Sequence, residues 1–155
     1  MHCAPRACIG VDGAGLAELV SEFASRGMSV RFAVLGGSMS PWIRSGDVVT
    51  VTPVEVAGPP RSGTVAAFRL SESGALRVHR LRARTANGWV AQADRNRRPD
   101  GIIPESAIAG VVTAVERGGR RVYLPTGGTG LVLSRLTRAV LVLRARIRSF
   151  ALFSR

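Results

Sequence analysis

The chain from residue 30 to residue 124 is a succession of short β-rich runs separated by glycine- and proline-rich turns. A hydrophobic period of two, in runs too short for a stable helix, is typical of strands whose side chains alternate between two faces. Turn-forming residues fill the intervening segments GPPRSG, SESG, TANG and RNRRPDG. We therefore predict a mainly β fold, either a coiled sheet or a small, partly open barrel, with strands at VRFAVLG, VVTVTP, TVAAFRL, LRVHRLRAR, GWVAQA, IAGVVTAVER and RVYL.

Two helices are predicted, one on each side of the strand region. The segment DGAGLAELVSEFASRG, from Asp12, has its apolar residues on one helical face, and Gly27 is a natural C-terminal stop. The second is a basic amphipathic helix near the C-terminus. The predicted organisation is a disordered tail over residues 1–11, a single β domain with its N-terminal helix over 12–125, and the basic helix over 126–155.

The C-terminal helix has an apolar stripe, and its arginines project elsewhere. In one interpretation the stripe packs on the sheet and leaves a basic face in water. In the other the helix lies on an anionic membrane, with residues 131–153 in peripheral contact. The sequence alone does not decide between the two interpretations. The residues of the predicted apolar stripe are Val132, Leu133, Leu136, Ala139, Val140, Leu143, Ile147, Phe150 and Ala151.

The charge of the chain restricts its partners. All 22 basic residues are arginine, and the formal net charge is +12. A surplus of this size favours anionic neighbours such as nucleic acid or acidic phospholipid. Aromatic residues make up only 5% of the chain and do not alternate with the basic strands, so nucleic-acid binding through base stacking is not expected.

The two cysteines, Cys3 and Cys8, lie beside His2 near the N-terminus. Two thiols and one imidazole are an incomplete ligand set for zinc, so we expect no metal and no cofactor. They do not form a disulfide framework, and no apolar run approaches the roughly 18 to 20 residues that span a bilayer. The expected location is therefore cytoplasmic, with peripheral membrane association if the basic helix binds lipid.

The segment VLGGSMSPWIRSGDVVTV contains a serine, Ser38, at the end of a predicted strand. It is consistent with an ordinary turn between strands or with a nucleophile. A serine hydroxyl needs an adjacent base to take its proton. The chain has no lysine, and arginine stays protonated at neutral pH. Apart from His2, the one imidazole is that of His79, within the strand LRVHRLRAR, so His79 is the base if Ser38 is catalytic; otherwise it is an ordinary histidine of the sheet.

A base of this kind is usually oriented by a carboxylate bonded to its other ring nitrogen. Asp94 and Asp100 begin and end the segment DRNRRPD, just after the strand that follows the His79 strand. A hairpin between these strands brings the segment towards His79. The alternative is a polar turn in which the two aspartates cap backbone groups or pair with neighbouring arginines.

Three blocks in this order resemble the signal peptidase I and LexA-type serine protease superfamily, over residues 34 to 115. They are Ser38-Met39-x-Pro41 with Gly46-Asp47 downstream, VHR at 78–80, and ADRNRRPD at 93–100. The archaeal and endoplasmic-reticulum type of signal peptidase is more similar than the bacterial type, because it has histidine in place of the catalytic lysine and two aspartates in a later loop.

The resemblance implies a largely β, signal-peptidase-like catalytic fold. It implies Ser38 as nucleophile, His79 as general base, and Asp94 or Asp100 as the orienting carboxylate. The Ser38 N–H is expected to donate to the oxyanion of the substrate. An extended peptide is expected to bind by added-strand pairing, in a cleft lined by Gly37, Met39 and Pro41.

The chain departs from the family pattern in several places. No membrane anchor precedes the serine, Gly36 stands where many members have a serine hydroxyl, and Ala93 stands where a glycine usually precedes the loop aspartate. Gly63-Thr64 replaces a common Gly-Asp pair. A LexA-type repressor is not expected, since the residues before Ser38 do not encode a helix-turn-helix domain.

These observations predict a serine endopeptidase that cleaves a leader or precursor peptide. The alternative from the sequence is a catalytically inactive β module that binds anionic membrane, nucleic acid or a protein partner through its basic surface.

Overall fold

The structure, a computed structural model, describes residues 13–70 and 74–153, with side chains through residue 144. The predicted tail of residues 1–11, with His2, Cys3 and Cys8, lies outside the described residues. Asp12, where the N-terminal helix was expected to begin, lies outside them as well.

Strands make up most of the elements, which confirms the predicted mainly β class. A single antiparallel sheet of eight strands has the order β1-β2-β7-β3-β4-β5-β6, with β8 paired to β7. The elements in chain order are α1 (Gly13–Ser25), β1 (Val30–Ala33), β2 (Val48–Thr52), α2 (Val54–Ala57), β3 (Val65–Arg69), β4 (Leu76–Thr85), β5 (Gly88–Gln92), β6 (Gly101–Ile103), a 3-10 turn (Glu105–Ala107), β7 (Ile108–Arg117), β8 (Arg120–Val122) and α3 (Gly127–Phe153).

The sheet is open. Within the described residues, β1 and β6 are the two ends of the hydrogen-bonded path, and they do not pair with each other. Register shifts interrupt three of the strand pairs: β2 with β7, β3 with β7, and β4 with β5. Such bulges bend a strand and increase its twist, so this sheet is coiled rather than flat.

The strand β6 was not predicted from the sequence. It is three residues long and begins at Gly101, the last residue of the RNRRPDG segment, so it has too few positions to show a period of two. Its pairing with β5, through Trp89 opposite Ile103, is a tertiary contact that local sequence does not encode.

The central strand β3 is buried on both faces. Val65 and Ala67 contribute to one hydrophobic cluster, and Ala66 and Phe68 contribute to another on the opposite face. The first cluster lies beneath the loop between β1 and β2, and α1 covers part of it. Its buried members are Val20, Met39, Ile43, Val49, Val51, Val65, Ala67, Ala93, Val112 and Val115.

The C-terminal helix is present, but part of its predicted apolar stripe does not pack on the sheet. Its contacts with the β domain include small and polar residues: Gly130 approaches Arg80, and buried Ser134 accepts a hydrogen bond from Arg82. The packing interpretation is therefore wrong for four stripe residues, which are 46–59% exposed: Val132, Leu136, Val140 and Leu143. The side chains of Ile147, Phe150 and Ala151 lie outside the described residues.

Candidate active site

Ser38 lies in the loop that joins β1 to β2. A hydrogen bond of 2.8 Å from the Gly46 N–H to the Val34 carbonyl closes the base of this loop. In the turn that follows Ser38, the Ile43 N–H donates to the Met39 carbonyl at 3.1 Å. The side chains of Met39 and Ile43 are 2% and 1% exposed, so the core anchors the turn directly after the serine.

The aspartate of the Gly46-Asp47 pair holds the other end of the loop. Its carboxylate accepts two hydrogen bonds of 2.8 Å from the Arg117 guanidinium and one of 2.8 Å from the Arg44 N–H. The bond from Arg117 is the main reason that the pKa of Asp47 is lowered from its ordinary value, against the opposing effect of burial. The Gly46-Asp47 pair therefore has a structural role here, since Asp47 fixes the loop that presents Ser38.

Ser38, His79 and Asp100 form a continuous hydrogen-bonded chain. The Ser38 Oγ is 3.0 Å from the His79 Nε2, and the His79 Nδ1 is 2.8 Å from the Asp100 Oδ2. The imidazole is almost fully buried, and the Asp100 side chain is 15% exposed. Both distances fall within the range of good hydrogen bonds. The three residues come from three separate segments of the chain, so only the tertiary fold brings them together.

The position of His79 is set by the strand pairing of β4. It lies opposite Ala66 of β3, whose small side chain leaves room for the imidazole. The ring of Phe68 contacts the imidazole edge-on, with centroids 6.2 Å apart and planes at 67°. Asp100 is held by its backbone N–H, which donates to the Ala91 carbonyl of β5 at 2.9 Å. The base and its carboxylate are thus fixed by adjacent strands.

Asp94 faces a different partner. Its two carboxylate oxygens accept hydrogen bonds of 2.9 and 2.7 Å from Arg80, and both side chains are 0% exposed. His79 and Arg80 are consecutive on β4 and point to opposite faces, so their two aspartates lie on opposite sides of the strand. Of the two aspartates that the sequence left open, Asp100 contacts His79 and Asp94 does not.

Arg80 also connects the site to other segments. Its Nη1 donates to the Gly63 carbonyl at 2.7 Å and to the Pro125 carbonyl at 2.6 Å. The backbone N–H of Asp94 lies 3.4 Å from the Met39 sulfur. The pair of Arg80 and Asp94 therefore ties β4 to the turn after Ser38, to the loop before β3 and to Pro125, two residues before α3.

The three residues predicted to line a substrate cleft differ in exposure. Gly37 and Pro41 are exposed beside Ser38 and are available to a ligand. Met39 is buried beneath the turn, against Asp94, so its side chain forms the floor under the serine rather than a contact surface for peptide. The prediction for Met39 overlooked that a turn so rich in small and polar residues needs an apolar anchor.

The backbone amide of Ser38 is a candidate donor for an oxyanion. Its N–H donates no hydrogen bond to any described residue, while its carbonyl accepts one of 2.9 Å from the Arg95 N–H. The neighbouring Gly36 is exposed, with φ of +91° and open space on its side-chain side. The role of Arg95 was missed from the sequence, because the contact joins two loops 57 positions apart, from residue 38 to residue 95.

A cavity of about 670 Å³ has Asp100 in its lining. Its other lining residues come from α1, from α2, from the end of β3 and from the segment 102–109, and neither Ser38 nor His79 contributes to it. Within residues 13–70 and 74–153, no group of three or more histidine, cysteine, aspartate or glutamate side chains is placed to hold a metal ion. The side chains of Ser38, His79 and Asp100 are placed for nucleophilic attack and proton transfer.

Neither protein-family models nor the sequences of curated proteins match this chain. In the part of the chain that the structure describes, no helix combines the length and the apolar character needed to cross a membrane.

Proposed function

We propose that this protein is a serine endopeptidase in which Ser38 is the nucleophile, His79 the general base and Asp100 the orienting carboxylate. The observation that carries the proposal is the hydrogen-bonded chain from the Ser38 Oγ through both imidazole nitrogens to the Asp100 carboxylate. Nucleophile, base and orienting group in this geometry are the signature of activated-serine chemistry. The resemblance of the three sequence blocks to the signal peptidase superfamily is independent support.

The tautomer of His79 follows from the chemistry of its partners. A carboxylate accepts hydrogen bonds, so the Nδ1 carries the proton that it shares with Asp100, and the Nε2 is left with a lone pair facing the Ser38 hydroxyl. When the Ser38 oxygen attacks a peptide carbonyl carbon, the hydroxyl proton passes to Nε2. Asp100 stabilises the imidazolium that results.

The remaining steps use the same three groups. The tetrahedral intermediate carries its negative charge on the former carbonyl oxygen, and the free Ser38 N–H is a donor for that oxygen. As the carbon–nitrogen bond breaks, the imidazolium returns its proton to the leaving amine and an ester to Ser38 remains. Water then attacks this ester with His79 as base, which releases the acid product and restores the serine.

The substrate that fits this site is an internal peptide bond in an extended segment. Exposed Gly36 and Gly37, directly before the serine, leave space for a peptide backbone. We propose a leader or precursor peptide as substrate, cleaved in the cytoplasm or at the membrane surface.

A catalytically inactive binding module is the second candidate. The observation in its favour is the exposed apolar stripe of α3, which the chemistry of Ser38 does not use. Binding through α3 is compatible with catalysis, so the presence or absence of serine-dependent activity discriminates between an enzyme and a module that only binds.

The experiment that tests the proposal is mass-spectrometric profiling of a diverse peptide library incubated with the purified protein, with Ser38→Ala and Ser40→Ala in parallel. Ser40 lies in the same turn and has no partner in the hydrogen-bonded chain, so it is a matched control. We expect cleavage by the wild type and by Ser40→Ala, and a loss of more than about 10³-fold in Ser38→Ala. Cleavage that persists in Ser38→Ala, or none by the folded wild type, would contradict the proposal.

A further inference from the structure

The exposed apolar residues of α3 lie on one side of the helix. With about 3.6 residues per turn, the spacing of Val132, Leu136, Val140 and Leu143 places them one above the other along the helix surface. Each is 46–59% exposed. We name these four residues the α3 stripe. A contiguous apolar surface of this kind marks an interaction site more often than it marks ordinary solvent-facing surface.

The opposite side of α3 faces the β domain and carries polar and charged groups. Arg82 of β4 donates to the buried Ser134 hydroxyl, and the Nη1 of Arg138 is buried without a hydrogen-bond partner among the described residues. Burial lowers the pKa of Arg82 to about 10, and the nearby charge of Arg138 acts in the same direction. The Nη1 of Arg138 is thus buried while Leu136 and Leu143 are exposed, which is not the arrangement expected of a helix whose apolar stripe packs on a core in water.

The charges beside the α3 stripe indicate the chemistry of the partner that would fit it. Arg135 and Arg144 flank the stripe, one on each side, and both are exposed. No acidic residue occurs between positions 127 and 153, and the whole chain carries a formal charge of +12. A second copy of α3 laid against the stripe would bring these arginines close to arginines of the same charge. An anionic surface with an apolar interior matches both the flanks and the stripe.

We propose that α3 is an interfacial helix that holds the protein on an anionic lipid bilayer, with the α3 stripe facing the acyl chains and Arg135 and Arg144 contacting lipid phosphates. If the stripe packed on the sheet, Leu136 and Leu143 would be buried, whereas both are exposed. Because the surface lies on α3 and not at Ser38, the proposal is independent of the proposed peptidase activity.

The test is sedimentation of the full-length protein with vesicles of phosphatidylcholine alone and of phosphatidylcholine mixed with phosphatidylglycerol. We expect binding to the anionic vesicles, weakening as salt is added, and little binding to the neutral ones. Leu136→Ser with Leu143→Ser should weaken binding by roughly 100-fold, since two buried leucines are lost from the acyl region. Arg135→Gln with Arg144→Gln should weaken it by roughly 30-fold.

Matched controls come from other exposed positions. Val56 on α2 is 62% exposed, and Arg120 on β8 is exposed, so Val56→Ser and Arg120→Gln change the same residue types outside α3. Both should bind anionic vesicles as the wild type does. Circular dichroism and thermal unfolding establish that each variant is folded, which is expected because every altered side chain is exposed.

Three results would overturn the proposal. The first is a folded wild type that ignores anionic vesicles. The second is binding that the paired leucine variant leaves unchanged, which would place the contact elsewhere on the basic surface. The third is a stripe-dependent dimer, seen by light scattering, in a protein that does not bind vesicles, which would assign the stripe to a second copy of the chain.

Discussion

His79 and Arg80, consecutive on β4, bind the two aspartates of one loop on opposite faces of the sheet. His79 contacts Asp100 at 2.8 Å, and Arg80 contacts Asp94 at 2.9 and 2.7 Å. The first pair belongs to the proposed catalytic chain. The second is fully buried and connects four segments of the fold. Removal of one carboxylate or the other should therefore have separable effects on activity and on stability.

Asp100→Asn should lower activity with little loss of stability. The amide keeps the shape of the side chain but can present an N–H to the His79 Nδ1, which favours the tautomer with its proton on Nε2, facing Ser38. That tautomer is unable to accept the serine proton. We expect a fall in kcat of about 10²- to 10⁴-fold, measured on a peptide identified by library profiling. A variant with full activity would exclude Asp100 as the orienting group.

Asp94→Asn should mainly lower the stability of the fold, in contrast to Asp100→Asn. It leaves the Arg80 guanidinium, which is 0% exposed, without its counter-charge. Breaking a buried ion pair by removing one partner typically costs about 3–5 kcal/mol. We expect a clear fall in the free energy of unfolding, measured by urea denaturation. Glu105→Gln is the matched control, because its ion pair with Arg84 is more than half exposed on both sides and should contribute little.

Much of the fold could be predicted because it is encoded locally. The alternation of short apolar runs predicts seven of the eight strands. Gly27 was expected to stop the N-terminal helix, and α1 ends two residues before it, at Ser25; the φ of Gly27 is +70°. What the sequence does not encode is long-range register. The register shift between Leu81 and Ala83, where β4 pairs with β5, is an irregularity that the alternation of the sequence does not predict.

The candidate site was predictable in part for a chemical reason. With no lysine in the chain, elimination leaves His79 as the partner of Ser38, and the two are in contact. The choice between Asp94 and Asp100 depends on which face of β4 each reaches, and that requires the fold. The burial of Arg80 was equally unpredictable, because arginine is rarely buried unless a partner is supplied from elsewhere.

Asp47 should make stability depend on pH. The hydrogen bond from Arg117 lowers the pKa of this carboxyl in the folded protein below its ordinary value. The unfolded chain therefore takes up a proton first as pH falls. The stabilisation is fully present above about pH 5 and is lost as pH falls through the lower pKa of the folded state.

The measurement is the urea midpoint of wild type and Asp47→Asn between neutral and acidic pH. We expect the variant to be less stable at neutral pH and the difference to shrink on acidification. A difference that is constant over this range would show that the ionised form of Asp47 is not the stabilising species.

Gly63→Ala should detach the start of α3 from the β domain. A Cβ at Gly63 would lie 2.0 Å from the Gly127 carbonyl oxygen, which is backbone and has to move. Gly127 begins α3, and the nearby Pro125 carbonyl is bound by Arg80, so the displacement breaks that contact as well.

Gly58→Ala is a control that distinguishes the effect of the steric overlap at Gly63 from the effect of backbone strain. Gly58 has φ of +86° and Gly63 has φ of +90°, so alanine is strained at either position, by roughly 1–3 kcal/mol. A Cβ at Gly58 meets nothing within 4 Å. We therefore expect Gly63→Ala to be the less stable variant in urea, and α3 to become more sensitive to limited proteolysis in it alone. Equal losses in the two variants would mean that the first turn of α3 is not held against the loop before β3.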